Sequence, residues 1–301
     1  KPACLLTNDK FIIRNSSNTI SLGGGEILDV APLHHRKRTQ KLISNLQNLA
    51  NSVLNSADLF GIINYEVHKK AQPIFVNELA ESLGQSFSII INEIQKHNTG
   101  SIHVFGCTDK SIVISEDMHK KYYNLIIELL EQHHIKYYLL EEGLTLMDLL
   151  GKINIKDKEL ASQYMESLIE QMMSEGSVKE VENSISLKSH KVKVDSKTQQ
   201  QLDWLENEIK NYQRNTPLMS EIEKLAKNNN ISKEQLKMRL QYLVKTSKLY
   251  FWDGEYIHSE HVQDVKKILL SELINRGKGI NEKDFRLLID SSKNFVKVIT
   301  G

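Results

Sequence analysis

Proline is scarce in this chain of 301 residues, four in all, and glycine contributes only 14. That scarcity excludes a long disordered or linker-rich region. With 40% apolar and 26% charged residues the chain is expected to fold and stay soluble. Long hydrophobic runs are also missing: none approaches the roughly 18 apolar residues that span a bilayer, so no membrane partner is expected. A signal peptide is not expected either, because residues 1–9 are apolar for only a short stretch. The chain opens on Lys1 rather than Met, as expected of a segment from within a longer protein. Cysteine is nearly absent. Cys4 and Cys107 show no CxxC spacing and cannot form a zinc site by themselves, so they read as free thiols of a reducing cytoplasm. Among eleven histidines, the pairs His34-His35 and His133-His134 lack the i, i+4 spacing and acidic partner of a helical metal site. They read as polar surface residues, and no metal is expected. No Gly-x-x-x-x-Gly-Lys-Ser/Thr loop and no nucleophile with an identifiable base occur, so neither GTP hydrolysis nor other catalysis is expected of this chain.

Net charge is also nearly absent, at +1, but it is unevenly spread. From Lys266 to Gly301 eight basic residues (Lys266, Lys267, Arg276, Lys278, Lys283, Arg286, Lys293, Lys297) face four acidic ones, leaving +4 there and −3 on the rest. A cationic end on a near-neutral body fits phosphate contact at that end, or an ordinary solvated helix face.

What is present is a repeated unit. Residues 1–31 stand apart: Lys10-Phe-Ile-Ile-Arg14 and Ile20-Ser-Leu-Gly-Gly-Gly-Glu-Ile-Leu-Asp29 read as two strands around the turn residues Asn15-Ser-Ser-Asn18. The glycines predict a bulge or close backbone approach. Two strands alone are only marginally stable, so they read as the closing strands of a larger β-domain. Beyond Pro32 the order helix, short helix, amphipathic helix, hairpin recurs. In residues 194–258, Leu202, Leu205 and Ile209 have helical spacing, Met219 to Ala226 is a short helix, and Ser232 with Gln235 forms a capping box. Leu236, Leu240, Leu243 and Val244 then make an apolar face, and Lys248 to Trp252, Asp253-Gly254 and Glu255 to His258 read as a hairpin.

Residues 119–190 repeat the order with Leu144 to Leu150, Asp157 to Met173, and strands Val178 to Val181 and Ser184 to Leu187. Residues 36–118 do so with Val76 to Leu83, Phe87 to Ile94 and a hairpin from Ile102 to Ile114. Residues 259–301 carry a first helix around Val265 to Asn275, a short helix Glu282 to Ile289 and a third helix starting near Ser291-Ser292, without a hairpin. Short helices thus start near 76, 145, 219 and 282, roughly 60–75 residues apart and longer than solenoid periods of about 20–50. The fold class expected is mostly α with small β-hairpins: tandem winged helices, three complete and one truncated, after the last strands of a β-barrel.

Particular residues resemble a known family. Asp9-Lys-Phe-Ile-Ile-Arg14 with Thr19-Ile-Ser-Leu-Gly-Gly-Gly-Glu-Ile-Leu-Asp29, then Pro32 and His34-His-Arg-Lys-Arg38, is similar to the end of the EF-Tu-like β-barrel in the selenocysteine-specific elongation factors (the SelB family). Val178 to Leu187 with Ser189-His190 and Val194-Asp-Ser-Lys197, Leu249-Tyr-Phe-Trp252 with Glu255 to Ser259, and Gly279 to Arg286 with Ser291-Ser-Lys-Asn-Phe295 resemble later parts of that family. There the last barrel domain passes into four winged helices. The resemblance implies an arm that binds an mRNA hairpin, the selenocysteine insertion element, downstream of a UGA codon. It also implies a monomeric cytoplasmic factor that works with the ribosome and selenocysteinyl-tRNA. GTP and magnesium would belong to an N-terminal domain outside this sequence. Where the family usually has Ser-Arg-Lys-Tyr, this chain has Ser292-Lys293-Asn294-Phe295; Lys lacks the planar fork of Arg, whereas Asn can bond a base edge.

On that resemblance the candidate RNA-binding residues are Lys283, Arg286, Ser292, Lys293, Asn294 and Lys297. A helix beginning near Ser291 offers free N–H groups to phosphate, Lys293 and Arg286 supply charge, and Asn294 and Ser292 are placed for base contacts. Pairing of Arg286 with Asp290 at i, i+4 is the less favoured alternative, and Phe285, Leu288, Ile289 and Phe295 read as core. Arg36, Lys37 and Arg38 are a secondary nucleic-acid contact or a solvated helix start. Tyr250 and Trp252 share a strand face suited to stacking on bases, with packing on their own domain the favoured expectation. Two other function classes fit the unit: a winged-helix DNA-binding regulator, and a winged-helix protein scaffold.

Overall fold

A computed structural model of the chain describes residues 5, 7, 9–30, 32, 39–54, 58–97, 100–106, 108, 110–252, 254–277, 279–291 and 295–296. Cys4, Cys107, His34, His35, Arg36, Lys37, Arg38 and Asp253 lie outside the described residues. Helices dominate, with small antiparallel strand pairs, and no strand set closes into a barrel among the described residues. The chain divides into two compact units: residues 1–130 with 144–188, and residues 131–143 with 189–301.

The first unit begins with strands β1 (Lys10–Arg14) and β2 (Ser21–Glu26), paired antiparallel with an irregularity between Ile13 and Arg14. A Cβ on Gly24 would stand 2.6 Å from the Phe11 carbonyl oxygen, so the glycine permits the close approach that its place in the strand suggested. Ile12 and Leu22 remain 68% and 67% exposed; this hairpin buries little of its own apolar surface.

Helices α1 (Gln40–Leu54) and α2 (Leu59–Lys70) follow. Asp58 caps α2 by accepting from the Gly61 N–H at 2.9 Å, and the Ser52 hydroxyl donates to Asp58 at 2.5 Å. Any side chain on Gly61 would collide with that Ser52 hydroxyl. The α2 face also holds the hairpin segment. The Lys69 ammonium donates to Asp29 at 2.8 Å and to Glu66 at 2.7 Å, with both Lys69 and Asp29 nearly buried. The Tyr65 hydroxyl donates to Asp29 at 3.3 Å, and burial, followed by the Asp29 charge, raises its pKa to about 12.

Short helices and small antiparallel strands follow. Strand β3 (Ile74–Phe75), helices α3 (Val76–Leu83) and α4 (Phe87–Lys96), and strands β4 (Ile102–Phe105) and β5 (Ile112–Ser115) form a sheet of order β3-β5-β4. Its core gathers Ile63, Val67, Leu79, Ile90, Ile94 and Val113. Helix α5 (Glu116–Lys136) starts at the residue after β5. Next come α6 (Leu146–Leu150), α7 (Lys158–Ser174) and the hairpin β6 (Val178–Val181) with β7 (Ser184–Leu187). Thr145 and Asp148 form a capping box on α6, which leaves Leu144 to pair with Ile185. The second core contains Tyr122, Ile126, Leu149, Tyr164, Leu168 and Met172, and it also takes Ile112 and Ile114 from β5. Strand β5 therefore serves two cores, one on each face.

A polar cluster lies beside that shared strand. His119, 4% exposed, shares a hydrogen bond with the Tyr164 hydroxyl at 3.1 Å, and its ring centroid lies 4.3 Å from that of His103. Burial and the His103 charge lower the His119 pKa. Glu116 bonds Lys120 at 2.6 Å and also His103; these two bonds, Lys120 foremost, bring its pKa down to about 2.

In the second unit, residues 188–195 have no regular secondary structure and lead to α8 (Ser196–Asn211), α9 (Met219–Asn228) and α10 (Lys233–Lys245). The hairpin β8 (Leu249–Trp252) with β9 (Glu255–His258) completes this copy. The Ser232–Gln235 capping box is present as the sequence predicts, and Leu202, Leu205, Ile209, Leu236, Leu240 and Leu243 are core. His134 departs from expectation. It is buried, and its ring stacks on His190 at 3.8 Å, because residues 131–143 pack in this unit rather than lying on a free surface. Helices α11 (Ser259–Arg276) and α12 (Glu282–Ile289) follow; α11 starts directly after β9, earlier than the hydrophobic pattern suggested. No helix among the described residues is long and apolar enough to cross a membrane.

Candidate nucleic-acid interface

The cationic end is built on α11 and α12. Asn281 caps α12 by accepting from the Asp284 N–H at 2.8 Å. Phe285 and Ile289, one helical turn apart, enter a core with Ile257, Val262, Val265, Phe295 and Val296. That choice of buried stripe turns Lys283 and Arg286 outward, both exposed and three residues apart on the helix. Leu288 also lies outside the stripe and is 37% exposed, contrary to its reading as core.

The charges on this end divide into two groups. Arg276 pairs with Glu272, Lys267 approaches Asp264 at 3.8 Å, and the Lys266 ammonium lies 5.6 Å from the Tyr250 ring centre. Lys283 and Arg286 have no ion-pair partner among the described residues, and Arg286 makes no bridge to Asp290. Asp290 instead closes α12 in a left-handed conformation, φ 45°. The C-terminal carbonyl of α12, on Ile289, accepts a hydrogen bond from Arg214, which satisfies one of the acceptors a helix end leaves open. Ser292, Lys293, Asn294 and Lys297 lie outside the described residues; Ser291 and the fully buried Phe295 flank the first three. Of the expected site, the described part is thus Lys283 and Arg286.

Sequence reasoning underrated the aromatic hairpin. Tyr250, Phe251 and Trp252 are 37%, 50% and 48% exposed, and neither Tyr250 nor Trp252 joins the core of its copy. Leu249 fills the inward position at 1% exposure; alternation turns Tyr250 and Trp252 to the other face, while Phe251, on the face of Leu249, packs against Tyr256 instead of entering the core. Exposed rings beside a lysine are chemically suited to stacking on nucleobases. Among the described residues no group of three or more His, Cys, Asp or Glu side chains could hold a metal ion.

No protein-family model and no curated protein matches the chain. Among solved structures it is similar to the crystal structure of a bacterial selenocysteine-specific elongation factor, EF-Sec, with 14% identity and a TM-score of 0.49. The similarity covers 99% of this chain and 42% of that one, so the chain spans less than half that protein's length. At that level the likeness establishes neither a shared family nor a shared function.

Proposed function

We propose that this chain is the mRNA-binding arm of a selenocysteine-specific elongation factor. In this reading the chain comprises the closing strands of an EF-Tu-like barrel (1–31) and winged helices at 36–118, 119–190, 194–258 and 259–301. The arm tethers a factor carrying GTP and selenocysteinyl-tRNA to an RNA hairpin, and the tether recodes UGA. The observation that carries the reading is the pairing of a recurrent helix–short helix–helix–hairpin order with a cationic last copy. On that copy Lys283 and Arg286 stand outward and unneutralised among the described residues. The sequence resemblance at residues 9–29 and 279–295 adds the translational context. Lys283, Arg286, Lys293 and Lys297 meet phosphate, and Ser292 and Asn294 meet base edges in a loop, since the A-form major groove is too narrow to read. Arg36, Lys37 and Arg38 form a secondary contact.

The DNA-regulator reading predicts the opposite preference for the same positive end. A gel shift of the full chain against a pool of stem-loop RNAs with randomised loops, beside duplex DNA of equal length, separates them. Retention of RNA hairpins over duplex DNA is the expected result. Preference for the duplex would sink the arm reading.

A further inference from the structure

A cleft of about 750 Å³ lies within the second unit, between α10, the hairpin β8–β9 and residues 133–143. Two pairs of rings line it. Phe251 and Tyr256 come from the hairpin, with centroids 4.7 Å apart, and His133 in the last turn of α5 pairs with Tyr137 just beyond it, 4.8 Å apart. Phe251 is half exposed although it lines a cavity, so folding alone does not cover its ring. The cleft's charged groups balance: Lys237 and Lys245 stand against Glu142 and Glu234, and Lys245 is paired with Glu142. A neutral, planar occupant therefore suits it better than a phosphate. Desolvation that lowers the Lys245 pKa agrees with a partly water-excluding site. The second Glu142 oxygen is enclosed without a hydrogen-bond donor, which makes the polar side of the cleft rich in acceptors.

We propose that this cleft takes an unstacked nucleobase of single-stranded RNA, stacked on Phe251 and Tyr137, with an exocyclic amino group directed to the carboxylates of Glu142 or Glu234. Adenine and cytosine carry such an amino group; uracil does not. The inference rests on the RNA-arm reading and extends it: the third copy becomes a second RNA contact, separate from Lys283 and Arg286. Ring stacking tolerates sequence, so the preference arises at the base edge rather than at its face.

The test measures binding of the full chain to fluorescent oligoribonucleotides of about ten residues, rA, rC and rU, a length in the range that single-strand sites cover. The expected order is rA and rC above rU. Phe251→Leu and Tyr137→Leu each weaken rA binding about tenfold, while Phe251→Trp, which keeps a stacking face, retains it. Circular dichroism checks that each variant folds. Equal binding by F251L and the parent chain would overturn the cleft. So would displacement of the oligomer by AMP at lower concentration than by rA, which would point to a free nucleotide. Tighter binding of a Trp-bearing peptide than of rA would point to a protein partner and overturn it as well. Two further outcomes separate this inference from its premise. RNA hairpins that depend on Lys283 and Arg286 but ignore F251L would remove the cleft alone. A chain that takes the oligomer in the cleft yet binds no hairpin would remove the arm reading alone.

Discussion

Strands β5 and β7 each complete an antiparallel hairpin, yet the chain leaves them differently. After β5, Ser115 is followed at once by α5; after β7, residues 188–195 intervene before α8. The side chains explain the contrast. Ile112, Val113 and Ile114 are apolar on both faces, so Val113 fills one core while its neighbours fill the next. In β7 only Ile185 and Leu187 are apolar; Ser184 and Ser186 occupy the other face, and the Ser184 hydroxyl turns back to donate to the Val181 carbonyl at 2.6 Å. Both serines are buried nonetheless, so that face of β7 is covered and its hydroxyls take polar partners rather than joining an apolar core. Strand β9 behaves like β5: Tyr256 packs on the third core, Ile257 enters the fourth, and α11 begins at once. The hairpin β1–β2 shows a third kind of junction, joined to α2 through the buried Asp29–Lys69–Glu66 charges. Short hairpin strands are thus used in different ways: β5 feeds two apolar cores, β7 feeds one apolar core and buries serines on its other face, and the β1–β2 segment is held by buried charges.

The largest expected effect comes from the charged clip. Lys69→Met removes the nearly buried ammonium that bonds both Asp29 and Glu66 and should cost about 3–5 kcal/mol, read from urea unfolding. A loss below about 1 kcal/mol would mean that water already screens the triad. Next comes the shared strand. Ile114→Ala should cost about 2–5 kcal/mol and should loosen amide protection in both cores of the first unit. Loss confined to one core would break the idea of a welded strand.

A pH effect of intermediate size follows from His119. Its pKa is lower folded than unfolded, so the unfolded chain binds the extra proton. Its contribution is intact above the unfolded value of about 6.5 and is lost as pH falls through the lower folded value. The slope is at most about 1.4 kcal/mol per pH unit, and His119→Phe should flatten it. Glu116 acts in a separate and more acidic window: its stabilising pairs persist until pH falls below 4.5 toward about 2. The smallest effect belongs to the polar face of β7, where Ser186→Ala removes one buried hydroxyl and should change stability by only about 1 kcal/mol. A cost near that of Ile114→Ala would erase the contrast between β5 and β7.

The local parts of this organisation were legible in the sequence, and the junctions were not. Ser232 with Gln235, the α6 segment at 146–150 and both strands at 178–187 follow from caps and alternation, which are short-range chemistry. Which core Ile112 or Val113 would enter depends on partners far along the chain, and an apolar run looks the same whether one face or both are covered. The burial of His134 has the same origin, since His190 reaches it from a distant segment. At the candidate interface, Phe285 and Ile289 were readable as the buried stripe. Leu288 and the exposed hairpin aromatics were misjudged because hydrophobicity marks what can be buried, not what is covered.

The first unit holds the shared strand β5, and the second holds the outward cations of α12. The most direct test is the salt dependence of RNA-hairpin binding by the full chain, parent against Lys283→Ala with Arg286→Ala. If both side chains meet phosphate, the double variant binds more weakly and the slope of log K against log salt falls by about two, near one unit per phosphate. An unchanged slope, with hairpin binding intact, would contradict the placement of the RNA contact on α12.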